Sequence, residues 1–169
     1  MQGFMLLASV RSLDCRRLEG VMIVEPASLE HIVAWSHLRH ALWPHDSSAA
    51  HRRDIERTFF EATKSAVAFV AIIEGEVVGF AEASLRRDYV NGCKSSPVAF
   101  LEGIYVAPAA RRGGVATALC SAVEVWGKQQ GCSEFASDTA PDNHASQRLH
   151  LSLGFKETQR VVFFSKRLD

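Results

Sequence analysis

The residues best suited to chemistry lie between Phe100 and Ala116, in the run Phe-Leu-Glu-Gly-Ile-Tyr-Val-Ala-Pro-Ala-Ala-Arg-Arg-Gly-Gly-Val-Ala. An apolar strand enters a short loop, the loop ends in Gly113 and Gly114, and a helix follows. The first N–H groups of a helix have no intrahelical partner. With the helix dipole they make a site for an anion, typically a phosphate. No side chain blocks the backbone at the two glycines, and Arg111 and Arg112 add positive charge. A glycine pair before a helix also serves as a plain turn, and paired arginines as a solvated face. The clean strand before the loop and the long amphipathic helix after it favour the anion site. The chain has neither Gly-x-x-x-x-Gly-Lys-Ser/Thr nor Gly-x-Gly-x-x-Gly, so nucleotide hydrolysis and dinucleotide binding fit less well.

Several elements must position this loop. Ser28 caps a helix whose stripe is Ile32, Val33, Trp35, Leu38 and Leu42, and Trp43-Pro44 ends it. Asp46-Ser47-Ser48 opens a second helix that runs through Phe60. Ala66 to Glu74 and Val77 to Leu85 read as a hairpin turning at Glu74-Gly75-Glu76. A polar loop, Arg86 to Pro97, turns at Asn91-Gly92 and leads into a strand over Val98 to Val106. Gly114 to Gln130 is the clearest helix, with Val115, Leu119, Ala122, Val123 and Trp126 on one face and Gly131 as its stop. A strand over Ser133 to Asp138, a helix over Asn143 to Leu153 and two short strands, Phe155 to Thr158 and Val161 to Ser165, complete the chain. The order predicts an α/β fold: a mixed, mostly antiparallel central sheet with helices on both faces.

With 169 residues, 47% apolar and 22% charged, the chain suits one globular domain. Residues 1–21 break from the pattern that begins at Met22, so we expect a poorly ordered extension over 1–21 and a single domain over 22–169. The apolar run Phe4 to Val10 is followed rather than preceded by arginines, unlike a signal peptide. A formal charge of zero argues against nucleic acid as partner, and no apolar run is long enough to span a bilayer. Cys15, Cys93, Cys120 and Cys132 form no Cys-x-x-Cys pair. His37 and His40 stand three apart without a completing ligand, so no metal is expected.

The strand Phe100 to Val106, the pattern Arg111-x-x-Gly114-x-Ala116 and the later Leu153-Gly154-Phe155 resemble the Gcn5-related N-acetyltransferase superfamily. Leu42-Trp43-Pro44, Asp88-Tyr89-Val90-Asn91-Gly92-Cys93, Phe100-Leu101-Glu102-Gly103-Ile104 and Ala136-Ser137-Asp138-Thr139 are similar, more narrowly, to the aminoglycoside 6′-N-acetyltransferases. That resemblance implies acetyl-CoA as co-substrate, an aminoglycoside as acceptor, antibiotic resistance as outcome, a cytoplasmic location and a homodimer. It implies that Trp43, Tyr89, Glu102 and Asp138 contact the aminoglycoside. Ile104, Tyr105, Val106, Arg112, Gly113, Gly114, Val115, Ala116, Thr117 and Asn143 would contact acetyl-CoA. Two positions depart from the broader pattern. Gln159 stands where the family has an acid, and His150 where many members have a tyrosine.

The chemistry is consistent with these residues. An aminoglycoside amine is largely protonated near neutral pH, so a group must accept its proton before the amine attacks a thioester. Glu102 and Asp138 are candidates for holding the cation and for acid–base work. Glu102 is expected on one strand face with Phe100, Ile104 and Val106. Each has a structural alternative: Glu102 as a partner in an ion pair, Asp138 as a turn residue. The Val106 N–H is the candidate donor to the thioester carbonyl. Asn143 also fits a plain N-cap. His150 is a candidate acid for the leaving thiolate or a packing residue. Trp43 and Tyr89 suit either sugar rings or a core. Transfer to another amine, such as a polyamine or peptide N-terminus, and a non-catalytic acyl-CoA sensor are the competing readings.

Overall fold

The computed structural model describes residues 20–61 and 65–168. The expected extension over 1–21 therefore lies almost wholly outside the described residues. Five strands form one sheet in sequence order: β1 (Met22–Pro26), β2 (Ala66–Ile73), β3 (Glu76–Arg86), β4 (Val98–Val106) and β5 (Phe135–Ser137). The first four are antiparallel neighbours, and β5 joins β4 in parallel. The β2–β3 turn places Glu74 and Gly75 at φ 53° and 82°, the pair of positive angles that a two-residue hairpin requires.

Helices cover both faces. α1 (Ile32–Leu42) and α2 (Ser48–Ile55) bury Ile32, Trp35 and Ile55 against Ala68, Val70 and Phe80. α2 begins at Ser47, whose hydroxyl accepts from the Ala50 N–H, and continues into a π-helical turn, Glu56–Glu61. On the opposite face α3 (Val115–Gln129) inserts Val115, Leu119 and Val123 among Ala71, Ala81, Ala83, Leu101 and Val106. α4 (His144–Ser152) follows β5.

Two expectations are corrected here. Residues 155–165 contain no strand, although Phe155 to Thr158 and Val161 to Ser165 carry strand-like sequence. Phe163 and Phe164 are 87% and 93% exposed, so this stretch has the composition of a strand without a ladder to join. The second concerns β4. Glu82 pairs with Gly103 and Ala83 with Leu101, leaving Glu102 as an extra residue in a bulge. The bulge resets the alternation. Ile104 and Val106 therefore join Leu101 in the α3 core, away from Glu102, which shares a face with Phe100 alone of the three residues expected beside it.

Candidate active site

The loop before α3 is built as an anion cradle. Gly114 is the N-cap at φ 81°, the left-handed region that favours glycine, and it brings no side-chain cap. The N–H groups of Val115, Ala116 and Thr117 are thus left for a ligand. A Cβ added at Gly114 would meet nothing within 4 Å, so the approach is open. Arg112 sits beside it at φ 64°. Arg111 serves differently: its Nε donates to the Val106 carbonyl at 2.9 Å and its guanidinium lies 5.5 Å from the Tyr105 ring centroid. It ties the loop to the end of β4.

β4 and β5 part company next to this cradle. Their pairing covers only Ala99, Phe100 and Leu101 opposite Phe135, Ala136 and Ser137. Beyond it, the edge of Glu102 through Val106 that faces β5 has no strand partner among the described residues. Backbone groups of Ile104, Tyr105 and Val106 lie along this open run, suited to the amide-bearing arm of a coenzyme. Glu102 and Asp138 are the first residues past the last pair, Leu101 and Ser137, so both carboxylates stand where the strands separate.

Their surroundings differ. Glu102 is 37% exposed on its side chain and held on the protein side. Arg86 Nη2 donates to both of its oxygens, at 3.1 and 2.9 Å, and Arg86 Nε and the Ser84 hydroxyl also donate to Oε1. The Arg86 guanidinium lies over the Phe100 ring at 3.3 Å. The ion-pair alternative for Glu102 is therefore realised, with part of the carboxylate still facing outward. Asp138 is exposed and has no ion pair or hydrogen-bond partner among the described residues.

His150 is pinned. Its Nδ1 lies 2.8 Å from the Ser146 carbonyl and its Nε2 2.9 Å from the Ser137 hydroxyl, which reaches the Leu101 carbonyl at 3.0 Å. Both ring nitrogens are thus engaged, one by the Ser146 carbonyl and the other by the Ser137 hydroxyl. No ring N–H is then directed into the cleft, and the ring braces β5 against α4. Asn143 is the N-cap of α4, its Oδ1 accepting from the Ser146 N–H at 3.0 Å, while its amide nitrogen stays exposed.

A cleft of about 1130 Å³ brings Tyr89, Asp138 and His150 together with Arg86 and Phe100, and residues 155–161 line it. Tyr89 is 78% exposed. The loop that carries it is latched to β5: Glu134 Oε2 accepts from the Lys94 and Ser95 N–H groups at 2.8 and 2.6 Å and from the Ser95 hydroxyl. These donors hold the Glu134 carboxyl below the usual range. Trp43 lies elsewhere, in a 540 Å³ depression with Arg39, His51 and Asp54. It touches β4 beside Glu102, because a Cβ on Gly103 would fall 2.4 Å from its ring.

The three described cysteines are held as thiols. Burial, then Glu124, pushes Cys120 up to about 12, and burial raises Cys93 and Cys132. None is poised as a nucleophile.

Sequence reasoning missed Arg86, Glu134 and the buried Glu82. Glu82 had a readable signal: it is the lone acid in the apolar run from Val77 to Leu85. Arg86 and Glu134 act through partners 16 and 39 or more residues away, so local pattern could not mark them.

The uncapped N-terminus of α3 lies beside a splayed strand pair, and residues 32–155 match the acetyltransferase (GNAT) family. The chain belongs to that family. It is 54% identical over 140 residues to an aminoglycoside N(6′)-acetyltransferase type 1 from Serratia marcescens, covering 82% of this chain and 94% of that one. It is 49% identical over 146 residues to the corresponding protein of Salmonella enteritidis, covering 86% and 99%. Among solved structures it matches AAC(6′)-Iy in complex with the bisubstrate analogue CoA-S-monomethyl-acetylneamine, with TM-score 0.82, 47% identity and coverage of 88% and 99%.

Proposed function

We propose that this chain transfers the acetyl group of acetyl-CoA to the 6′-amine of aminoglycosides and so confers resistance. The observation that carries the reading is the β4–β5 splay beside the open N-terminus of α3, with Glu102 and Asp138 the first residues past the last strand pair. The identity to proteins named for this reaction supports it.

Acetyl-CoA supplies an activated thioester when bound. The N–H groups of Val115, Ala116 and Thr117, with Arg112 and the bare backbone at Gly113 and Gly114, suit its pyrophosphate. The open edge from Ile104 to Val106 suits its amides, and the exposed amide of Asn143 adds a donor. Two carboxylates suit a polycationic acceptor. Arg86 and Ser84 orient Glu102, which holds and aligns the ammonium. Asp138, without a partner among the described residues, accepts the proton directly or through water. Tyr89 and Trp43 offer aromatic surface to the sugar rings on either side. Absence of an activated thiol among the described cysteines favours direct transfer over an acyl-enzyme.

The partner in solution is a second copy of the chain. Val161, Val162, Phe163 and Phe164 are exposed, with strand-like sequence and no strand to pair with, and a homodimer covers them. The reaction belongs in the cytoplasm, where acetyl-CoA is available. No described helix is long and apolar enough to cross a membrane.

The test is thiol release from acetyl-CoA with aminoglycosides that carry or lack a 6′-amine, alongside polyamines and a peptide N-terminus. Release confined to 6′-amino aminoglycosides is expected, with matching resistance in a susceptible bacterium. Release with polyamines or peptides instead would move the enzyme to another acceptor, and binding without release would make it a sensor.

A further inference from the structure

One charged cluster lies outside the reaction chemistry. Glu82 is 3% exposed in the centre of β3. The Trp35 indole N–H donates to its Oε1 at 2.7 Å. Arg39 Nε stands 3.1 Å from the same oxygen, at ion-pair distance without hydrogen-bond geometry. Arg39, also buried, reaches Asp54 with Nη1 at 2.9 Å, and Asp54 is further held by Arg57. A buried ion pair of this kind is often no more stabilising than apolar residues of the same volume. Its presence calls for another use.

The geometry points to Trp43. The Arg39 guanidinium carbon lies 5.1 Å from the Trp43 ring centroid, and the Trp43 backbone N–H donates to the Arg39 carbonyl at 2.7 Å as the C-cap bond of α1. The same indole meets Gly103 edge-on. Gly103 is the register partner of Glu82 and the neighbour of Glu102. A continuous path therefore runs from Glu82 through Arg39 to Trp43 and back to the β4 bulge.

We propose that Glu82 and Arg39 are positioning residues for aminoglycoside binding: the buried carboxylate fixes the guanidinium, and the guanidinium fixes the Trp43 wall beside Glu102. This inference rests on the assignment of Trp43 to the acceptor site. Glu82 is buried and acts through Arg39. Its charge restricts where Arg39 can lie, and a planar cation over an indole face restricts the ring.

The test compares four variants in steady-state kinetics and thermal unfolding above about pH 8, where the Glu82 carboxyl, raised by burial to about 7, carries its charge. Glu82→Gln keeps an acceptor for Trp35 but removes the charge opposite Arg39. Arg39→Met removes the stack. The double variant removes both buried charges, and Trp43→Ala removes the wall itself. Glu82→Gln and Arg39→Met are expected to raise the aminoglycoside KM roughly tenfold while the acetyl-CoA KM stays within about twofold. The double variant is expected to regain melting temperature, since no unpaired charge remains buried, yet to keep the raised KM. Recovery of KM together with stability would show the pair to be purely structural and overturn the proposal. A raised KM in Trp43→Ala with unchanged KM in the other variants would overturn the tether alone. An unchanged KM in Trp43→Ala would remove Trp43 from the acceptor site, and the tether with it.

Discussion

Replacing Glu82 by glutamine separates its charge from its shape and exposes a pH-dependent component of stability. Burial raises the Glu82 carboxyl from 4.5 to about 7, against the opposing pull of Arg39 and the Trp35 hydrogen bond. The folded state thus holds the Glu82 proton more tightly than the unfolded chain does. The resulting stabilisation is complete below the unfolded value and is lost as pH rises through the folded one. The two values differ by about 2.5 pH units, which corresponds to about 3 kcal/mol between the acid and alkaline limits. Most of it disappears between about pH 5 and about pH 8. Glu82→Gln carries no titrating group at this position. Denaturant unfolding of both proteins across that range should therefore show wild type losing stability on the order of 2–3 kcal/mol relative to the variant, with other titrations cancelling in the difference. Any fixed cost of leaving Arg39 beside an amide shifts the two curves without changing the slope of their difference. A pH-independent difference would refute the reasoning. A wild type that gains on the variant with rising pH would show that Arg39 outweighs burial and holds the carboxyl low.

Further outcomes test the rest of the site. Gly114→Asp forces a side chain into φ 81° and sets a negative charge at the α3 N-terminus, so acetyl-CoA affinity in calorimetry should fall at least about tenfold with the fold retained in circular dichroism. Glu134→Ala unlatches the loop that carries Tyr89; the aminoglycoside KM should rise with acetyl-CoA binding intact, and stability should fall in denaturant unfolding. Phe163→Ser with Phe164→Ser should shift light-scattering mass from dimer to monomer, and an unchanged dimer would place the interface elsewhere. Asp138→Asn should lower kcat about a hundredfold or more and alter the low-pH limb, whereas Glu102→Gln should act mainly on the aminoglycoside KM. The reverse pattern would exchange the two roles.

Much of this architecture is local and so was legible. Gly114 before an apolar stripe, the Glu74-Gly75 turn and the Asn143 cap each depend on neighbours a few residues away, and each stands where the pattern puts it. What was not legible depends on distant partners. Val161 to Ser165 has strand composition, but composition does not supply an adjoining ladder, and none exists within the described residues. Glu134 and Arg86 matter because of residues that folding brings to them.

The failure of alternation along β4 is the most informative of these. A period of two predicts that Glu102, Ile104 and Val106 share a face. One extra residue, Glu102 itself, breaks that period. The bulge turns Glu102 toward Ser84 and Arg86 and sends Ile104 and Val106 into the α3 core. Pairing with β5 stops at Leu101, the residue immediately before it. A bulged strand bends and twists more sharply, and β5 cannot follow. The same local irregularity therefore turns a carboxylate to Arg86 and lies where the backbone edge opens. An ideal strand here would be easier to read from sequence, yet it would keep β5 paired and leave no cleft between the two strands.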